Sequence, residues 1–143
     1  MKRTLAIKND IGQLTYLNDF LQQFASEAKL DQPACMNFRL AIEEAVVNVI
    51  SYAYPGEKDK EITISAEYDA QKIKVEITDS GIAFDPTSKQ TPDTSLPLEE
   101  RPVGGLGIFL VKQLMTEVTY CRSGNKNILT MIKDLDKPWR ILT

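Results

Sequence analysis

Residues 41–48 read Ala41-Ile42-Glu43-Glu44-Ala45-Val46-Val47-Asn48. They lie in a run free of Gly and Pro from Ala34 to Tyr54, with Pro33 just before it and Pro55-Gly56 just after. A run of that length predicts a helix of about five turns, because Pro is favoured at a helix start and Pro-Gly stops one. On it Glu44 and Asn48 stand one turn apart on a shared face, with Cβ atoms roughly 6 Å from each other. Ile42, Ala45, Val46, Val49 and Ile50 surround them with apolar surface. The helix is therefore expected to be largely buried, and a buried carboxylate or carboxamide needs partners. One small site served by both groups would supply them. Polar residues that cap the helix or face solvent are the other reading of the same spacing.

On the N-terminal side, Leu5 and Ile7 alternate with polar residues between Lys2 and Lys8, a short strand ending at Asn9-Asp10, which suits a helix cap. From Ile11 to Leu30 the apolar residues Ile11, Leu14, Leu17, Leu21, Phe24, Ala25 and Ala28 recur at three- and four-residue steps, an amphipathic helix; Asp31-Gln32-Pro33 breaks it and starts the long helix. Beyond Glu57–Lys60, Ile62, Ile64 and Ala66 alternate with polar residues, and so do Ile73, Val75 and Ile77. These are two half-buried strands joined through Asp69-Ala70-Gln71.

Ser80–Val103 has no periodicity and holds Pro86, Pro92, Pro97 and Pro102. In a small domain a stretch beyond about 12 to 15 residues without structure is functional or disordered, and the glycine turns that bracket this one favour a lid. Gly104-Gly105-Leu106-Gly107 then opens a third helix, Ile108–Met115. Val118–Cys121 and Ile128–Ile132 complete the sheet as a hairpin turning at Ser123-Gly124-Asn125. One apolar face per strand leaves helices on one side only. The expected fold is α+β, a two-layer sandwich with a mixed, mainly antiparallel sheet and three helices on one face. The tail Asp136–Thr143 has no pattern of its own, and Trp139 is its large apolar residue.

Composition narrows the function. At 143 residues and 43% hydrophobic, the chain suits one domain spanning 1–143. A net charge of −3 without a Lys/Arg cluster argues against a direct nucleic-acid partner. No apolar run nears the roughly 20 residues of a membrane span, and Met1-Lys2-Arg3 is followed by too few apolar residues for a signal peptide. A cytoplasmic protein without a membrane partner is expected. Cys35 and Cys121 lack CxxC spacing and read as two reduced, structural thiols. Histidine is absent, which excludes His-based metal sites, catalytic triads and a phospho-accepting histidine in this chain.

A glycine-rich turn opening a helix offers unpaired backbone N–H groups and the positive end of the macrodipole, which suits phosphate. Gly104, Gly105 and Gly107 fit that description, although neither the GxxxxGK[ST] loop nor the Rossmann turn is matched. Asp79, at a strand end before Ser80-Gly81, would form an Asx turn or accept from an exocyclic amine at a pocket floor.

Taken together, Glu44 and Asn48 on a helix, Asp79-Ser80-Gly81-Ile82-Ala83-Phe84 after a strand, a long lid and then Gly104-Gly105-Leu106-Gly107 resemble the GHKL (Bergerat-fold) ATP-binding domain from about Leu5 to Lys133. The chain most resembles the anti-sigma-factor serine/threonine kinases of the RsbW type, through Glu44-Ala45-Val46-Val47-Asn48, Asp79 to Pro86 and Arg101-Pro102-Val103-Gly104-Gly105-Leu106-Gly107-Ile108. The resemblance implies ATP and Mg²⁺ as cofactors, Glu44 as general base, Asn48 as Mg²⁺ ligand and Asp79 as adenine contact. It also implies Arg101 at the γ-phosphate, and Gly81, Phe84, Gly104, Gly105, Leu106 and Gly107 lining the nucleotide. Glu43 points about 100° away from Glu44 and is set aside. Many members carry Gly-Thr near adenine where this chain has Lys126-Asn127, and Asn127 can still donate and accept there. The implied partners are an anti-sigma-factor antagonist, phosphorylated on Ser or Thr, and a sigma factor that is sequestered, with a homodimer left open. A non-catalytic ATP-binding module and a histidine-kinase-like domain acting in trans are the alternatives.

Overall fold

The computed structural model describes residues 2–88 and 105–139. In chain order, β1 spans Lys2–Lys8, a 3-10 turn Ile11–Gln13 leads into α1 (Leu14–Glu27), and α2 runs over Gln32–Tyr52. β2 (Glu61–Tyr68) and β3 (Lys72–Asp79) follow, then a 3-10 turn Pro86–Ser88, α3 (Gly105–Leu114), β4 (Glu117–Ser123) and β5 (Lys126–Asp134).

Local chemistry explains where these bounds depart from the periodicity. The helix expected from Ile11 opens with a 3-10 turn, as the Asp10 carboxylate accepts the Gly12 N–H at 3.0 Å. It stops at Glu27 rather than Leu30. There Lys29 takes the left-handed φ of 59° and the Leu30 N–H reaches back to Ala25 O at 3.0 Å, a termination that usually carries glycine. α2 begins at Gln32, within the Asp31-Gln32-Pro33 segment expected to start it, because Asp31 accepts the Ala34 N–H at 2.9 Å and Pro33 fits the first turn, where no N–H is needed. α3 begins at Gly105, ahead of Ile108.

The sheet order is β1-β2-β3-β5-β4. Every pairing among the described residues is antiparallel, which corrects the expectation of a mixed sheet. β3 and β4 run in the same direction, but β5 lies between them, so the parallel pair that the order β3-α3-β4 invites does not form.

Ile62, Ile64, Ile73, Val75, Ile77 and Met131 on the covered face meet Leu17, Leu21, Phe24, Phe38, Ile42 and Val46 of the helices in one buried cluster. Each such side chain contributes about 1.5 to 3 kcal/mol. α2 lies between α1 and α3, and Ala41 and Ala45, both fully buried, let its backbone come close to its neighbours. Phe24 stacks on Phe38 at 5.6 Å between centroids and meets Tyr68 edge-on at 5.5 Å. Trp139 packs against the core, with Lys133 Nζ 5.0 Å from its ring centre. Both cysteines are free; Cys35 is half-buried at the core, whereas Cys121 is exposed on β4, so a packing role holds for Cys35 alone.

Candidate functional site

β3 ends on Asp79, which is 4% exposed. Its Oδ1 accepts the Gly81 N–H and the Asn127 side-chain N–H, both at 2.8 Å. The Asx turn is therefore formed, and because both bonds fall on Oδ1, Oδ2 keeps the capacity to accept from an amine. Gly81 is required sterically. A Cβ there would stand 2.1 Å from Ala53 O and 2.6 Å from Ala53 C, both backbone atoms at the end of α2. That approach lets the Ile82 N–H bond Ala53 O at 2.9 Å. Phe84 is half-buried and stacks on Tyr52, with centroids 5.0 Å apart.

Asn127 faces Asp79 directly across the β3–β5 ladder. Its amide nitrogen also donates to Ile82 O at 2.7 Å. Its oxygen accepts from Arg122 Nη1 at 3.1 Å, from the Tyr120 hydroxyl, and from the Phe84 N–H at 3.4 Å. A carboxamide offers two N–H donors and two lone pairs, so Asn127 is saturated by the protein. The free donor and acceptor expected of it near adenine are not there, and its place is behind Asp79.

On α2 the two polar residues differ sharply in environment. Asn48 is fully buried, and neither its Nδ2 nor its Oδ1 has a hydrogen-bond partner. Burying an unpaired amide costs about 1 to 3 kcal/mol, so a residue in that condition has the capacity to take a water, an ion or a ligand as its partner. Glu44 is half-buried. Burial, and secondarily the charge of Glu43, raise its carboxyl above the ordinary value. A carboxylate so placed accepts a proton more readily than a solvated one.

The turn around Asp79 and the end of α2 are thus tied together. α3, whose first residues are Gly105, Leu106 and Gly107, packs alongside α2. Arg101, Gly104 and most of the expected lid, Ser80–Val103, lie outside the described residues. Sequence reading missed Tyr54, Tyr120 and Arg122. The Tyr54 hydroxyl accepts the Ser80 N–H at 2.7 Å, and Arg122 Nη1 donates to Gly81 O at 2.8 Å. The signal available was period two on β4, which puts Tyr120 and Arg122 on one face.

The donor set fits a nucleotide with its metal. Asn48 could supply an oxygen ligand of the hard kind that Mg²⁺ takes, where phosphates and water commonly complete the shell. Asp79 could accept from an amine through Oδ2, and α3 opens on Gly105 and Gly107.

Comparison with known proteins places the chain in a family. The family described as the histidine kinase-like ATPase domain matches residues 7–133. The serine-protein kinase RsbW of Listeria monocytogenes is 35% identical over 102 residues, 68% of this chain and 65% of the relative. The serine/threonine-protein kinase BtrW of Bordetella bronchiseptica is 28% identical over 92 residues, 64% of this chain and 65% of the relative. The chain thus spans about 65% of the length of these curated relatives. In fold, it resembles the crystal structure of the RsbU and RsbW domains of a Mycobacterium tuberculosis protein, with a TM-score of 0.63 over 99% of this chain and 35% of that one at 16% identity.

Proposed function

Because the chain belongs to the histidine kinase-like ATPase domain family, we propose that it is an ATP- and Mg²⁺-dependent protein serine/threonine kinase of the RsbW type. Its substrate is an anti-sigma-factor antagonist, its second partner is a sigma factor that it sequesters, and it works in the cytoplasm. The observation that carries this reading is the pair on α2: a buried Asn48 whose amide has no partner, one turn from a half-buried Glu44 whose carboxyl is raised.

Asp79 accepts from the adenine amine, Phe84 with Tyr52 borders the base, and the backbone at Gly105–Gly107 receives phosphate, joined by Arg101 and Gly104. Asn48 is the protein ligand for Mg²⁺, which when bound neutralises charge developing on the phosphates. Glu44 takes the proton from the partner's Ser or Thr hydroxyl as its oxygen bonds to the γ-phosphorus and the bond to ADP breaks. The proton on Glu44 then passes to water. The names of the relatives support serine or threonine as acceptor, and a chain without histidine offers no internal phospho-acceptor of that kind.

Incubation with labelled ATP and candidate antagonist proteins tests the proposal. Label stable on Ser or Thr is the expected outcome. A wild-type protein that binds a partner only with ATP present, yet transfers no label, would establish the non-catalytic module instead.

A further inference from the structure

The Asn127 carboxamide can satisfy its surroundings in only one orientation. Its nitrogen faces two acceptors, Asp79 Oδ1 and Ile82 O. Its oxygen faces three donors, on Arg122, Tyr120 and Phe84. Turned over, the amide would set oxygen against a carboxylate and a carbonyl, and N–H against N–H and O–H. The Phe84 contact is long, so Tyr120 and Arg122 decide which way the amide points. Both stand on β4, the edge strand next to β5, outside the buried core. Arg122 also holds Gly81 O, so one guanidinium fixes both the amide behind Asp79 and the turn in front of it.

We propose that Tyr120 and Arg122 are positioning residues for base selection, acting through Asn127 to hold Asp79 as an acceptor toward the exocyclic amine of adenine. The inference rests on the nucleotide-binding reading above and deepens it. Hypoxanthine carries a carbonyl where adenine carries the amine. Facing a fixed Asp79, that carbonyl would set acceptor against acceptor and leave both desolvated without a hydrogen bond. Discrimination therefore depends on Asp79 being unable to turn aside. Loosening the network relaxes the choice of base, while contacts to the triphosphate, common to both nucleotides, are kept.

The test is calorimetric titration of ATP and ITP into wild type, Tyr120→Phe, Arg122→Gln and Arg122→Lys, with melting temperatures on the same samples. Wild type should prefer ATP. Each of Tyr120→Phe and Arg122→Gln should lower the ATP:ITP affinity ratio by about three- to tenfold, the worth of one hydrogen bond, and Arg122→Lys should restore part of it. The double variant should fall short of the product of the two singles, because both act through one amide. Tyr120→Phe keeps the ring and so decides the matter if Arg122→Gln fails to fold. Variants that melt lower but keep the wild-type ratio would overturn the proposal and leave a structural role. A wild type that binds both nucleotides equally would overturn base selection while nucleotide binding stands; a wild type that binds neither would overturn both.

Discussion

The Tyr54 hydroxyl accepts a hydrogen bond from the Ser80 N–H at 2.7 Å while donating to Glu61 O at 2.8 Å. One side chain just past α2 thereby joins the turn after β3 to the start of β2. The same helix end receives the Ile82 N–H at Ala53 O, 2.9 Å away. The end of α2 and the turn that carries Asp79 are therefore held together by direct hydrogen bonds.

Tyr54→Phe removes both bonds and leaves an amide and a carbonyl without their partner. The expected loss is about 1 to 3 kcal/mol of stability, together with weaker ATP binding through the loosened turn. Thermal melting and calorimetry on one preparation check this. Unchanged melting would mean that the turn is held by Ala53 and Arg122 alone.

Gly81→Ala places a methyl group 2.1 Å from Ala53 O. Backbone cannot yield as a flexible side chain would, so about 3 kcal/mol or outright failure to fold is expected. Gly124 sits at φ +62° in open space, and Gly124→Ala should cost only about 1 kcal/mol of left-handed strain. Urea unfolding midpoints of the two variants should differ in that order.

Asn48→Leu separates stability from function. It removes two buried polar atoms that have no partner, so the ligand-free protein should gain about 1 to 2 kcal/mol. Mg²⁺-dependent ATP binding should vanish. A variant that melts higher yet binds ATP·Mg²⁺ like wild type would remove Asn48 from the metal site.

Glu44 yields a pH signature. Its carboxyl is raised first by burial and second by Glu43, so the folded state favours the protonated form. That contribution to stability is complete below the ordinary value of 4.5 and is lost as pH rises through the folded-state value. Glu44→Gln should therefore gain in melting temperature relative to wild type over that rise. Phosphoryl transfer with Glu44 as the proposed base would need the ionised form, so its acid limb should lie above 4.5 and move down in Glu43→Gln. Glu44→Gln itself should slow transfer by about 10²-fold. An acid limb that ignores Glu43→Gln would exclude the coupling.

Features written in short-range chemistry were legible in the sequence. Asp31 and Pro33 marked the start of α2, the period-two residues of β2 and β3 marked their covered face, and Glu44 and Asn48 shared a helix face. The end of α1 was not legible, because Lys29 occupies a left-handed position with no glycine to announce it. Nor was the network behind Asp79. Tyr54 meets Ser80 across 26 positions and Arg122 meets Gly81 across 41, and such contacts are decided by strand order. The sequence predicted two hairpins, but nothing local shows that β5, rather than β4, lies beside β3.

That placement of β5 has a consequence for biosynthesis. Among the described residues β5 is the last strand in chain order and yet an interior one, pairing Asn127 with Asp79 across 48 positions. While a nascent chain is still shorter than Lys126, β3 presents a bare edge beside Ile73, Val75 and Ile77, which is a template for association between unfinished chains. Pairings at such separation also form late and slowly. Asp79 receives its Asn127 hydrogen bond only when translation has passed Asn127, so a ribosome-bound fragment lacking β5 holds α2 and its Asn48 but leaves the Asp79 turn without that support.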